Sequence, residues 1–241
     1  VIVGAGVAGL VLADALRGSG KSVDVLEAGG GSLEPESQAL YEAEMAGVQH
    51  VGTTEGRFRV YGGSSIRWGG QLLPLRASDF NVRPHIPFSG WPIGFSDLEP
   101  YIRTCEELLG VNHAPYNSDL LRQLPMPRPS LTEPDLQLRF SKWAPFRCRN
   151  LAHTLGGRCL AEPKFRIFLH ACVNAIELHA DGHHVEYLKA VTPNGSCYSF
   201  HGKQIVISAG SIETSRLLLA SRSVHTNGIC NLTDQLGRWF H

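Results

Sequence analysis

The sequence predicts an α/β fold with a parallel sheet at its centre, and three stretches carry that prediction. Residues 1–27 read as strand, glycine turn, helix and strand. Gln204 to Ser208 (QIVIS) reads as a further buried strand that runs into a helix. Between them, from Phe165 to His201, strand-like runs broken by Asp181-Gly182 and Pro193-Asn194-Gly195 add a β-meander.

Taken in order, Val1-Ile2-Val3 is a β-branched run of the kind found in a buried strand. Val7 to Arg17 (VAGLVLADALR) is apolar nearly all round, as suits a helix packed beneath a sheet. Gly18 and Gly20 end it, and Ser22 to Glu27 (SVDVLE) returns as the second strand. The alternation of strand and helix then lapses. Residues 28–60 are mixed, 62–70 form a glycine-serine loop, and Pro84, Pro87 and Pro92 mark 81–95 as loop. Asp97 to Leu109 reads as a helix with Ser96 as its N-cap and Gly110 just past its end. Residues 110–165 are proline-rich with little periodicity and read as an insertion. Phe165 to Leu178, His184 to Val191 and Ser196 to His201 read as strands, and Ser211 to Ala220 as the last helix. The expected domains are 1–80 with 160–241, interrupted by 81–159.

Gly4-Ala5-Gly6-Val7-Ala8-Gly9 is a G-x-G-x-x-G between a strand and a helix. The first glycine permits the tight turn, the second lets backbone approach a pyrophosphate, and the third lets helix and strand pack closely. Glu27 follows at the end of the second strand, where a carboxylate can accept hydrogen bonds from ribose hydroxyls and would repel a 2′-phosphate. This is the Rossmann-type arrangement for a dinucleotide. A nicotinamide domain would continue directly with further strand–helix units, whereas this chain enters Gly62-Gly63-Ser64-Ser65-Ile66-Arg67-Trp68-Gly69-Gly70. Glycine pairs around serines supply amides and hydroxyls suited to an extended anionic cofactor such as FAD.

The glycine turn, Glu27-Ala28-Gly29, the Gly62–Ser65 loop and Ala209-Gly210-Ser211-Ile212-Glu213-Thr214-Ser215-Arg216-Leu217-Leu218 together resemble the glucose–methanol–choline (GMC) family of flavoprotein oxidoreductases. Leu236-Gly237-Arg238 resembles a segment that precedes an Asp-His pair in that family. The resemblance spans Gly4 to Arg238 in the family's order. It implies a Rossmann-type FAD-binding domain with an added β-meander and part of a substrate-domain insertion. Gly4, Gly6 and Gly9 would hold the pyrophosphate and Glu27 the ribose, with Ala28 beside it also contacting the cofactor. Gly62, Gly63, Ser64 and Ser65 would line the phosphate and ribityl side. Trp68, Gly69 and Gly70 would approach the isoalloxazine, Val173 the adenine, and Ala209 and Gly210 would close over the pyrophosphate. Trp68 stands where many alcohol oxidases of the family have Asn, which is closer to the branch of pyranose oxidases and sugar dehydrogenases. Ser89-Gly90-Trp91-Pro92 through Pro100-Tyr101 resembles the same branch. Arg67 occupies the position of a flavin-linking His in some members, so the expected FAD is non-covalent.

The implied reaction oxidises a CH–OH group of an alcohol, polyol or sugar, with the carbinol hydride passing to flavin N5 while a base takes the hydroxyl proton. In the family that base is a His paired with His or Asn near the end of a much longer chain, so no catalytic residue is assigned in this sequence. The expectation is a chain truncated at both ends, inactive alone and with weak or no flavin retention. A non-catalytic flavin-binding module is the alternative, and the Ala209–Leu218 match weighs against a flavin monooxygenase.

The remaining composition narrows the partners. Lys and Arg total 22, as do Asp and Glu. A chain with no net charge is unsuited to nucleic acid or an anionic membrane surface. No apolar run approaches the ~18 residues of a membrane span. Cys105, Cys148, Cys159, Cys172, Cys197 and Cys230 include no C-x-x-C pair, which fits neither a zinc site nor a dense disulfide framework, and they read as reduced thiols in a core. His183 and His184 read as surface residues and His170 as core or edge. His85, His113 and His153 lie in irregular stretches, so no metal site is expected. Arg57 and Arg59 could face phosphate but read as solvated. Neutral charge and scattered cysteines permit the cytoplasm or export, with the lean toward the cytoplasm.

Overall fold

In the computed structural model, which describes residues 1–125, 127 and 136–238, strand β1 (Ile2–Val3) is followed by helix α1 (Val7–Ala15) and strand β2 (Val23–Leu26). Helix α2 (Pro35–Ala39), β3 (Gln71–Leu72), α3 (Phe95–Leu108), β4 (Lys142–Trp143), α4 (Phe146–Arg149) and α5 (Gly157–Leu160) come next. The chain closes with β5 (Phe165–Phe168), β6 (Cys172–Leu178), β7 (Val185–Val191), β8 (Cys197–Phe200), β9 (Val206–Ile207) and α6 (Ser211–Ala220).

Two units result, Val1–Arg67 with Asn150–His241, and Trp68–Arg149. The sequence reading drew its lines at 80/81 and 159/160. Residues 150–160 belong with the first unit because Leu151, Leu155 and Cys159 are buried there and Arg158 pairs with Asp14 of α1 at 3.0 Å.

In the first unit a parallel sheet has the order β5-β2-β1-β9. Ile2 and Val3 face Val25 and Leu26 on one side, and Val206 and Ile207 on the other. The buried β-branched run therefore sits centrally, where neither face nor edge meets water. Helix α1 buries Gly9, Leu10 and Ala13. A Cβ at position 9 would lie 2.0 Å from the Gly4 carbonyl oxygen, so helix and turn meet this closely only through glycine. A separate antiparallel meander, β6-β7-β8, forms the second sheet. Val3, Leu26, Val173, Ile176, Leu188 and Leu217 share one core between sheet, meander and α6. The Ser221 hydroxyl fastens α6 to the meander, accepting the Ile176 amide at 2.9 Å and donating to the Leu217 carbonyl at 2.7 Å.

Four expectations need correction. The single strand expected over Phe165–Leu178 is two strands in two sheets. His170 has φ 55°, and its amide bonds the Gly29 carbonyl at 3.0 Å, which turns the chain out of the parallel sheet. Helix α3 begins at Phe95, capped at Gly94 rather than Ser96, because Asp97 Oδ2 accepts the Gly94 amide at 2.7 Å. Of the six cysteines, all free thiols, only Cys159 is buried. Arg57 and Arg59 are not solvated: their side chains keep 18% and 7% of their exposure, drawn in by the carboxylate of Glu213.

In the second unit β3 and β4 pair antiparallel, and Phe80 packs against Trp91 and Phe95. Glu106 is buried near the end of α3. It pairs with Lys142 of β4, and its Oε2 lies 2.7 Å from His113 Nδ1. These partners outweigh the burial that would raise its pKa, and hold the carboxyl below its usual range.

Candidate dinucleotide-binding site

The sheet's strand order and the glycine turn decide where a ligand can sit. In an open parallel sheet the carboxyl ends of the strands leave a crevice beside the helix that follows the first strand. The first unit has such a cavity of about 510 Å³. Val3-Gly4 after β1, Leu26-Glu27-Ala28 after β2, Ala171-Cys172-Val173 at the start of β6 and Ile207-Ser208-Ala209-Gly210 after β9 all line it. Gly6, Gly63 and Ser64 line it as well.

Each glycine of the turn has its own reason. Gly4 has φ 99°, and a Cβ there would stand 2.6 Å from the Ser208 carbonyl oxygen. Gly6 caps α1 in an extended conformation that any residue adopts. A Cβ on Gly6 would find protein only at 4.0 Å, the Cα of Gly63. Packing does not demand glycine at position 6, and the space beside its backbone belongs to the cavity. The first amides of α1 have no intrahelical acceptor, no side chain caps them and no acid stands in the first turn. A phosphate would complete these donors and meet the positive end of the helix dipole. The residues present therefore fit a dinucleotide.

Glu27 is buried and directly follows β2. Its Oε2 accepts the Ala5 amide at 2.9 Å and its Oε1 the Gly29 amide at 2.9 Å. Burial pushes its pKa above the usual carboxylate value, opposed by backbone hydrogen bonds from Gly29, Ala5 and Ala28 and by the Arg59 charge. The residue lines the cavity, where a carboxylate can accept a hydroxyl.

The Gly62–Ser65 loop packs on the turn from the other end of the unit's first segment. Gly62 donates to the Ala5 carbonyl at 2.9 Å, and a Cβ on Gly63 would approach the Gly6 Cα to 2.9 Å. Gly63–Ile66 is a 3-10 turn. Ser65 is buried and its hydroxyl is engaged within the unit, donating to the Gly62 carbonyl at 2.6 Å and accepting the Leu151 amide at 3.1 Å. Gly62 and Ser65 thus shape the loop, while Gly63 and Ser64 face the cavity. Trp68, Gly69 and Gly70 belong to the second unit. There the Trp68 indole donates to the Arg149 carbonyl at 2.8 Å. Gly70, at φ 77°, leaves room for Arg149.

Several cavity residues escaped the sequence reading. Tyr41, Phe58, Cys172, Glu213 and Arg216 all line it with Arg57 and Arg59. One signal was available for Glu213: an acid in the first turn of a helix whose N-terminus follows a glycine at a strand end. Tyr41 carried none, because it follows a short helix inside a mixed stretch.

Residues 2–33 match the family described as NAD(P)-binding Rossmann-like domain. No curated protein matches the chain in sequence. Among solved structures the chain is similar to pyridoxine 4-oxidase from Mesorbium loti, at 21% identity and a TM-score of 0.57, covering 91% of this chain and 51% of that one. It is also similar to a fungal aryl-alcohol oxidase, at 17% identity and a TM-score of 0.57, covering 91% and 47%. A third is an FAD-dependent oxidoreductase from Chaetomium thermophilum, at 17% identity and a TM-score of 0.59, with the same coverage. The chain spans about half the length of these structures. They share its fold, an α/β fold of the FAD-binding Rossmann type.

Proposed function

We propose that the chain holds FAD non-covalently and is the cofactor-binding portion of an oxidoreductase acting on the CH–OH group of an alcohol, polyol or sugar. The observation that carries this reading is the convergence of four strand ends, the uncapped N-terminus of α1 and the Glu27 carboxylate on one cavity. The turn from Gly4 to Gly9 would hold the pyrophosphate, Glu27 the ribose, the Val173 backbone the adenine, and Ala209-Gly210 would close over the phosphates. Trp68 to Gly70 are assigned to the isoalloxazine by the family resemblance. FAD, when bound, supplies the hydride acceptor for such a substrate. The chain's own residues fix the nucleotide end, exclude water from it and neutralise its charge. The acceptor that reoxidises the flavin is not assigned, nor is a catalytic base. The similar pyridoxine 4-oxidase and aryl-alcohol oxidase support a small-molecule substrate.

Equilibrium dialysis of the 241-residue chain against FAD tests the reading. Saturable binding that ADP displaces and FMN does not is the expected result. Absence of saturable FAD binding by a folded chain overturns it.

A further inference from the structure

Three arginines converge on one carboxylate beside this cavity. Arg57 Nη2 lies 2.9 Å from Glu213 Oε1, while Arg59 Nη2 and Arg216 Nε lie 3.1 Å and 2.8 Å from Oε2. The guanidinium carbons of Arg57 and Arg59 stand 4.1 Å and 4.3 Å from the centre of the Tyr41 ring. The strap that carries them is tied down at both arginines. Arg57 Nη1 donates to the Thr53 carbonyl at 2.5 Å, and Gln38 of α2 joins the Arg57 carbonyl and the Arg59 amide. The charged residues that line the cavity are these three arginines, Glu213 and Glu27. Guanidinium does not lose its proton in proteins, so the cavity is cationic before the dipole of α1 is added. Arg216 is half exposed, but Arg57 and Arg59 keep only 18% and 7% of their side-chain exposure, so water screens their charge little.

We propose that Arg57 and Arg59 are a second anion-recognition element of the cavity, serving a nucleoside diphosphate, and that Glu213 is the positioning residue that aims them. The inference rests on the FAD reading and deepens it. Glu213 sits in the first turn of α6, at the carboxyl end of β9, so one side chain couples the last strand to the strap at 57–59. It accepts from Arg57 at 2.9 Å and ion-pairs with Arg59 at 3.1 Å, holding both beside the Tyr41 ring at the cavity wall. The recognised group is the diphosphate common to ADP and FAD.

The test is the affinity of the 241-residue chain for ADP, FAD and adenosine at low and moderate salt, measured for the wild type, Glu213→Gln and Arg57→Gln. Removing the Glu213 charge makes the cavity more positive, so charge alone would tighten ADP binding. Positioning predicts the opposite: about tenfold weaker ADP and FAD binding, the size of one charge-assisted contact. Arg57→Gln should weaken ADP by a similar factor and flatten its salt dependence, while adenosine, which has no phosphate, binds as in the wild type. Glu213→Gln binding ADP as tightly as the wild type, or Arg57→Gln losing adenosine and ADP alike, overturns the inference. If Glu213→Gln does not fold, as judged by circular dichroism, Arg57→Gln alone decides. A wild type that binds neither ADP nor FAD overturns the FAD reading and this inference with it. A wild type that binds both, with variants indistinguishable from it, overturns only the inference.

Discussion

The Ala5 amide donates to Glu27 Oε2 at 2.9 Å, so the acid that directly follows β2 is fastened to the turn that ends β1. Its other oxygen takes the Gly29 amide at the same distance. One carboxylate thereby sets the spacing of two strand ends and still faces the cavity. The acid of a dinucleotide turn is usually discussed for the ribose, but in this chain it is also a structural brace.

Glu27→Gln should therefore damage folding as well as binding. A side-chain amide offers one oxygen, so either Ala5 or Gly29 would meet an NH2 group and lose its acceptor. An unsatisfied buried donor costs about 1–3 kcal/mol, to be read as a lower urea midpoint at pH 7. An unchanged midpoint would refute the brace. The wild type should also show a pH slope that the variant lacks. Glu27's folded pKa is raised above 4.5, so its contribution is full below that value and is lost as pH rises through the folded pKa.

Gly4→Ala and Gly6→Ala should separate packing from binding. At position 4 the methyl group would meet the Ser208 carbonyl at 2.6 Å in a left-handed backbone, and left-handed strain alone costs about 1–3 kcal/mol. At position 6 protein lies no nearer than 4.0 Å, so stability should stay within about 0.5 kcal/mol while FAD affinity falls. Thermal melts and dialysis on both variants check the contrast. Equal destabilisation would mean that Gly6 serves packing after all.

Tyr61 Oη is buried with no hydrogen-bond partner among the described residues. It packs where a Gly156 side chain would otherwise be. Burial pushes its pKa up to about 12. The folded state keeps this proton longer than the unfolded chain does. Stability is thus fully present below pH 10, the ordinary tyrosine value, and is lost as pH rises toward about 12. Tyr61→Phe should remove that alkaline loss and add about 1 kcal/mol at neutral pH, by deleting an unpaired hydroxyl. A destabilised variant would show that the hydroxyl has a partner in solution.

Acid precipitation after loading with FAD should leave all the flavin in the supernatant. Arg67, at the position aligned with a linking His in the resembled family, offers no nucleophilic nitrogen because its guanidinium stays protonated. Flavin that travels with the precipitate would overturn the non-covalent reading.

Local patterns reached far into this fold. The Gly4–Gly9 turn was legible because a tight turn, a close backbone approach and a helix start each demand a residue type. Helix α6 was legible to both ends because Gly210 and Ser221 bound an apolar run. Other features needed partners distant in sequence. Nothing near Leu169-His170-Ala171 announces that the chain changes sheets, because that corner depends on the carbonyls of Glu27 and Gly29. Arg57 and Arg59 read as solvated because most arginine pairs are, and the carboxylate that buries them stands more than 150 residues away, Arg57 and Glu213 being separated by 156. Ser96 has the usual capping side chain, yet the Asp97 carboxylate caps from inside the helix instead.

The bond from the Leu151 amide to the Ser65 hydroxyl closes the first unit beside the point where the chain leaves it and returns. Loop-closure entropy grows only slowly with length, so the intervening segment can be lengthened, shortened or exchanged at little cost to the cavity. The first unit is in this sense a socket. A lineage could replace what is plugged in between residues 67 and 150 while the geometry around Gly6, Glu27 and Glu213 stayed as it is.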